Sequence, residues 1–155
     1  MLASHLTLTP RLADIALLAG RTLLALIFIH EGATLALHFD NTVRVMATQG
    51  IGLPQVLAVI ALQLGAGFAI ALGWFTRLGA TSLGLFCLAT AALFHTNFAV
   101  QNELLHFEKD LAIAGGMFVL ATAGAGRLSL EARLASCWRT GWVGQRNNKD
   151  QSPAE

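Results

Sequence analysis

The residues of this chain that could do chemistry are few, and several lie inside apolar segments long enough to cross a bilayer. Glu31 is the clearest case, because it follows Ile15 by sixteen residues and so lies about 24 Å along a helix that begins there. A charged group is costly at that depth, and glutamate is too short to reach the surface. Glu31 must therefore be paired, hydrogen-bonded or protonated.

Other polar residues are expected in the same half of the membrane. Gln63 lies near the middle of the second apolar segment, His95 and Asn97 end the third, and Asp110 begins the fourth. The sequence therefore predicts a polar pocket that opens to the outer side. Its candidate ligand-binding residues are His30, Glu31, Gln63, His95, Asn97, Asp110 and Arg21. The alternative is that these groups only hydrogen-bond one another between helices, at under about 1 kcal/mol per contact.

Arg21 differs from the other candidates in depth. It follows Ile15 by six residues, about 9 Å along the helix and close to the opposite surface. A long arginine side chain can snorkel from there to the inner headgroups.

Most other site chemistries are absent from the sequence. His95, Glu103, His106 and Glu108 could gather around a metal, but the Glu-x-x-His pair occurs once, whereas bundle di-metal sites use two. No metal site is therefore expected. The chain also has no Gly-rich phosphate loop, no G-x-S-x-G motif and no basic nucleic-acid stripe, so no nucleic-acid partner is predicted.

The composition indicates what positions these residues. Hydrophobic residues make up 55% of the 155 residues and charged residues 12%, against about 25% charged in soluble domains. We therefore predict an all-α polytopic membrane protein, a bundle of four transmembrane helices at about 15–39, 51–75, 78–97 and 110–128. Loops are expected at 40–50 and 96–110, an amphipathic interfacial helix at 129–143, and a disordered tail at 144–155.

The basic residues predict the orientation. Eight of them fall on the side that holds both termini and two, Arg44 and Lys109, on the other, so the N- and C-termini are expected in the cytoplasm. The amphipathic helix carries Leu130 and Leu134 beside Arg133, which suits contact with anionic lipids. Small residues such as Gly65, Ala69 and Gly73 favour close helix packing over a wide pore.

Five segments of the chain resemble the DoxX family. They are GRTLLALIFIHEG at 20–32, QLGAG at 63–67, LGWFTRL at 72–78, FHTNF at 94–98 and DLAIAGG at 110–116. The resemblance spans residues 15–130 and implies a four-helix inner-membrane protein associated with redox processes, some relatives being membrane subunits of quinone-linked sulfur oxidation. The chain departs from the family at Gln63, where a glutamate is frequent, and at Leu35, near a frequent lysine.

Three functions fit these observations. The first is a redox-associated membrane subunit that binds a quinone-like ligand, the one cofactor expected. Because the sequence has no haem or iron–sulfur ligand set, a partner subunit would supply electrons, and the chain is not expected to be an enzyme alone, only an accessory subunit of a quinone-linked oxidoreductase. The alternatives are a structural or assembly subunit of a larger complex, and a small-molecule or proton transporter acting as a homo-oligomer.

Overall fold

A computed structural model describes residues 10–94, 98–99 and 101–136. Within them the chain forms the helices α1 (Pro10–Leu37), α2 (Phe39–Thr48), α3 (Leu53–Leu72), α4 (Thr76–Phe94) and α5 (Gln101–Ala123). Residues 130–136 are also helical, and the described residues contain no strand. The predicted all-α class is confirmed. His95, Asn97, the second half of the expected amphipathic helix and the expected tail lie outside the described residues.

The four long helices pack as an antiparallel bundle in the cyclic order α1, α3, α4, α5. Gly67 of α3 lies against Ala25 and Ile29 of α1, whereas Gly73 lies against Arg21. The bundle thus has two distinct ends. At the Arg21 end α1 and α4 begin and α3 and α5 finish, and the reverse holds at the Glu31 end.

The core of the bundle is small and contains residues from all four long helices. Ala25, Ile70, Leu83 and Met117 are fully buried there. Small residues bring the backbones close: a Cβ added to Gly67 would lie 2.9 Å from Ile29 Cγ1. In lipid, where burial of apolar surface does not drive association, such close packing holds helices together.

The outer surface of the bundle is apolar. Its exposed large side chains include Leu23, Leu26, Phe68, Leu78, Leu85, Leu93 and Val119. Among the described residues, three helices (α1, α3 and α4) are long and apolar enough to cross a membrane. The helix α5 pairs with α4 but carries the charged residues Glu103, Glu108, Lys109 and Asp110 in its first half. An apolar outer surface of this kind suits contact with acyl chains.

Much of the two segments expected to be loops, 40–50 and 96–110, is helical. Residues 40–48 form most of α2, and α5 begins at Gln101 rather than near residue 110. In α2, Phe39, Thr42, Val43 and Met46 turn toward the protein while Asp40 and Arg44 are exposed. This i, i+3, i+4, i+7 spacing is the pattern of an amphipathic helix, and a helix this short and this polar does not stand out by apolar length or hydropathy.

Candidate functional site

A cavity of about 550 Å³ opens at the Glu31 end of the bundle. All five helices line it, and α1, α3, α4 and α5 do so with residues spaced by one helical turn, as expected when one face of a helix borders the cavity. The lining is mostly apolar and includes Phe28, Phe86 and Phe94. The polar groups that reach the cavity are Glu31, Gln49, Gln55, Gln63, Thr90, Lys109 and Asp110. A concave, mostly apolar space of this volume with a few convergent polar groups is typical of a small-molecule site.

Gln63 is the most enclosed polar group of the cavity. Its side chain is 7% exposed, and Oε1 has no hydrogen-bond partner among the described residues. Gly32 brings α1 against this position, since a Cβ added there would lie 3.1 Å from Gln63 Cβ. A buried polar atom without a partner costs about 1–3 kcal/mol, so Gln63 indicates a hydrogen-bond donor that the described residues do not provide.

Asp110 and Thr90 join α5 to α4 inside the cavity. The Thr90 hydroxyl donates to Asp110 Oδ2 at 3.0 Å, and the carboxylate residue is 9% exposed. The hydroxyl also lies 2.9 Å from the Cys87 carbonyl oxygen. This contact orients the carboxylate, since its Oδ2 atom accepts from the Thr90 hydroxyl.

Glu31 and Lys109 place opposite charges on the cavity lining. Glu31 is exposed to the opening. Lys109 Nζ lies 3.5 Å from His106 Nδ1 on the next turn of α5. The cavity therefore offers carboxylates that accept hydrogen bonds and an ammonium group that donates them.

The other candidate residues are not all brought together. His30 is exposed and does not line the cavity, because consecutive residues of a helix point about 100° apart. Arg21 lies at the opposite end of the bundle. His95 and Asn97 fall outside the described residues. Of the seven residues named from the sequence, the cavity contains Glu31, Gln63 and Asp110.

Arg21 turns into the protein instead of extending to a membrane surface. It is 3% exposed and donates from Nη1 to the Ala125 carbonyl and from Nη2 to the Leu128 carbonyl, the latter at 2.7 Å. These carbonyls follow the C-terminus of α5, where the helix dipole favours a cation. These two hydrogen bonds thus hold the segment after α5 against α1. The snorkelling expected from the sequence is not what the structure shows.

Glycines make room for this contact at the Arg21 end. Gly73 ends α3 in the left-handed conformation, with φ of 73°, and Trp74 N–H donates to the Ala69 carbonyl at 2.8 Å, a Schellman cap. A Cβ at Gly73 would lie 2.5 Å from Ser129 Cβ. Gly73 therefore ends α3 and, because it has no side chain, also leaves room for Ser129 in the segment after α5.

Sequence reasoning missed several residues of the cavity. They are Thr90, Cys87, Gln55 and the α2 residues Val45 and Met46. The spacing of Gln55, Val59 and Gln63 at i, i+4 and i+8 was a usable signal for one face of α3. No comparable signal linked Thr90 to Asp110, because that contact joins residues twenty positions apart.

Comparison with known proteins places the chain in a family. The DoxX family profile matches residues 16–96. The chain is 36% identical over 128 residues to the inner membrane protein YqjF of Escherichia coli strain K12, across 83% of this chain and 98% of that protein. It is also 36% identical over 126 residues to the inner membrane protein YphA of the same strain, across 77% of this chain and 90% of that protein.

No solved structure matches the chain. The family profile covers more than half of the sequence, and both bacterial relatives align over nearly their whole length. The resemblance read from the sequence is therefore confirmed, and the chain is an inner membrane protein of the DoxX family.

Proposed function

We propose that this DoxX protein binds a quinone-like molecule in the cavity at the Glu31 end and serves as a membrane subunit of a redox system. The observation that carries the proposal is the cavity itself, in which Gln63 presents a buried amide oxygen that no described residue hydrogen-bonds, among aromatic and aliphatic side chains. A ligand that offers a hydroxyl to Gln63 would remove that unpaired group, which is a favourable source of binding free energy.

Quinones match both parts of the lining. The two ring oxygens accept hydrogen bonds as a quinone and donate them as a quinol, and the cavity contains groups of both kinds: Lys109 as a donor, Glu31 and Asp110 as acceptors, and Gln63 as either. The aromatic side chains suit a flat ring. The apolar part of the lining suits an isoprenoid tail, which partitions into the same lipid that surrounds the bundle.

The proposed role is that of an accessory subunit. The sequence contains no haem or iron–sulfur ligand set, so electrons would come from a partner protein, and this chain would hold the ring and exchange protons with it. The carboxylates of Glu31 and Asp110 are the groups placed to do so. We also propose that both termini are cytoplasmic, which puts the cavity toward the outer side.

Ligand-dependent stabilisation of the purified protein tests the proposal. Decylubiquinone should raise the unfolding temperature in detergent, since a ligand present at about 100 times its Kd stabilises by about 2.7 kcal/mol. Decylbenzene, which has the tail and ring without oxygens, should stabilise much less. Equal stabilisation by the two compounds, or none by decylubiquinone, would refute recognition of the quinone head.

Gln63→Leu separates the polar contact from the shape of the cavity. Loss of the hydrogen bond that Gln63 Oε1 would accept from a ring hydroxyl, about 1 kcal/mol, should weaken the binding of decylubiquinol, the reduced form, about fivefold. The ligand-free variant should be at least as stable as the wild type, because an unpaired buried oxygen is removed. The matched control is Gln101→Leu, an exposed residue of α5 outside the cavity, which should leave binding unchanged.

A second candidate is an assembly subunit that docks onto a larger membrane complex. Gly65 of α3 and Gly115 of α5 are exposed, and a Cβ added at either would meet nothing within 4 Å. Packing inside this chain does not require glycine there, although glycine destabilises a helix by about 1 kcal/mol. Close approach of another helix would explain both residues. Gly65→Leu and Gly115→Leu should then dissociate a complex that is seen on native gels, without weakening the binding of decylubiquinone.

A further inference from the structure

The structure separates charge along the bundle. Among the described residues, the Arg21 end has five basic residues and two acidic ones: Arg11, Arg21, Arg77, Arg127, Arg133, Asp14 and Glu131. The Glu31 end has two basic residues and five acidic ones: Arg44, Lys109, Glu31, Asp40, Glu103, Glu108 and Asp110. The Arg21 end is thus positive, and besides Arg11 in the first turn of α1 its exposed arginines are Arg77, Arg127 and Arg133. We call these three residues the basic face.

The basic face surrounds the segment after α5, whose carbonyls accept hydrogen bonds from Arg21. A Cβ on Gly124 would lie 3.1 Å from Arg77 Nε, so the guanidinium of Arg77 lies across the turn that follows α5. Gly124 and Gly126 are both left-handed, with φ of 79° and 73°. Arg127 extends from this turn with its side chain 81% exposed, and its partner Asp14 is 3.9 Å away at the edge of salt-bridge distance. The described acidic residues thus leave most of this positive charge available.

Arg133 belongs to the short helix that follows this turn. The Ser129 side chain caps that helix by accepting from Ala132 N–H at 3.2 Å. Glu131 N–H donates to the Gly73 carbonyl at 3.2 Å. The helix is thereby held beside the end of α3, and Arg133 joins the other two arginines at one end of the bundle.

Apolar and aromatic side chains are exposed beside the basic face. Trp74 and Phe75 form an exposed tilted pair with ring centroids 5.0 Å apart. Leu130 and Leu134 are exposed on the short helix. Exposed tryptophan, leucine and arginine together are characteristic of the boundary between acyl chains and headgroups.

From this arrangement we propose that the basic face is a binding site for the headgroup of an anionic phospholipid. Arg77, Arg127 and Arg133 contact the phosphate and its neighbours, and the acyl chains lie along Trp74, Phe75, Leu130 and Leu134. Arginine presents a planar set of donors that matches phosphate oxygens. The proposal is independent of any ligand in the cavity, which lies at the other end of the bundle.

Native mass spectrometry of the full-length protein in mild detergent tests the site. Dioleoylphosphatidylglycerol should be retained in preference to dioleoylphosphatidylcholine. Arg77→Gln, Arg127→Gln and Arg133→Gln should each weaken phosphatidylglycerol about fivefold, the effect of one basic residue near an anionic membrane surface. The matched control, Arg44→Gln, changes an exposed arginine at the opposite end and should have no effect.

Three outcomes would overturn the proposal. Equal retention of the two lipids is one, and full retention of phosphatidylglycerol by the combined triple variant is another. Displacement of the lipid by inorganic phosphate at the same concentration is the third, because it would assign the arginines to a free anion.

A second measurement uses no arginine variant, so it remains valid even if those variants do not fold. With Trp138→Phe and Trp142→Phe, Trp74 becomes the one tryptophan of the chain. Brominated phosphatidylglycerol, present as a minor component of phosphatidylcholine nanodiscs, should quench Trp74 more than brominated phosphatidylcholine at the same mole fraction. Equal quenching would contradict enrichment of the anionic lipid at this face.

Discussion

Replacing Arg21 with methionine tests whether the contact between α1 and the segment after α5 stabilises the bundle. Methionine fills a similar volume but cannot donate to the carbonyls of Ala125 and Leu128, which Arg21 contacts through Nη1 and Nη2. Ala125 is buried, whereas Leu128 is 45% exposed, so water can reach the second carbonyl more easily than the first.

The expected loss follows from these two carbonyls. An unsatisfied buried group costs about 1–3 kcal/mol; the Ala125 carbonyl should bear most of that cost and the Leu128 carbonyl a smaller part. Removal of a buried charge returns some stability, because Arg21 has no carboxylate partner among the described residues and is only 3% exposed. Since the smaller loss at Leu128 and the gain from removing the charge offset each other, we expect Arg21→Met to lower the free energy of unfolding by about 1–3 kcal/mol.

Equilibrium unfolding of the purified protein in mixed micelles measures this difference. Arg44→Met, an exposed arginine of α2, should be within about 0.5 kcal/mol of the wild type. Hydrogen exchange provides a local readout, since the Glu131 amide, which donates to Gly73, should exchange faster in Arg21→Met. An Arg21→Met protein with wild-type stability and wild-type exchange at Glu131 would refute the assigned role of Arg21.

Three further predictions concern helix packing, each measured as the free energy of unfolding in mixed micelles. Gly73→Ala should lose about 2 kcal/mol or more, since alanine is strained at φ of 73° and its Cβ has no room. Gly67→Ala should lose about 1–3 kcal/mol by overpacking; equal stability of Gly67→Ala and Gly65→Ala, the matched change facing open space, would contradict the packing. A double-mutant cycle of Thr90→Val and Asp110→Leu should give a coupling of about 0.6–1.5 kcal/mol for their 3.0 Å contact, and additive effects would exclude it.

The helices of the bundle could be read from the sequence because of the lengths of the apolar runs. Residues 51–75 contain no charged residue and contain α3, Leu53–Leu72. Pro54 and Gly73 stand near its two ends for local reasons, proline in the first turn and glycine in a left-handed cap. By contrast, α2 was missed because its apolar face is short, and a reading by hydropathy averages that face with Asp40 and Arg44.

The cavity was less accessible to sequence reasoning. Glu31, Gln63 and Asp110 stood out because polar groups are rare in segments of this kind, and all three line the cavity. The same reasoning selected His30, which is exposed and does not line the cavity. Rarity identifies a polar residue in an apolar run, but the direction of its side chain depends on how the helix is rotated against its neighbours.

The sequence by itself determined that the chain is an all-helical membrane protein, since the scarcity of charge and the length of the apolar runs leave few other ways to satisfy the backbone in lipid. Tertiary structure decided which polar groups meet. Arg21 contacts a carbonyl 104 residues away, and Thr90 meets Asp110 only because α4 and α5 are antiparallel neighbours. Such contacts depend on how each helix is rotated about its axis and on how closely helices approach at glycines such as Gly32 and Gly67. A local pattern of residues specifies neither the rotation nor the approach.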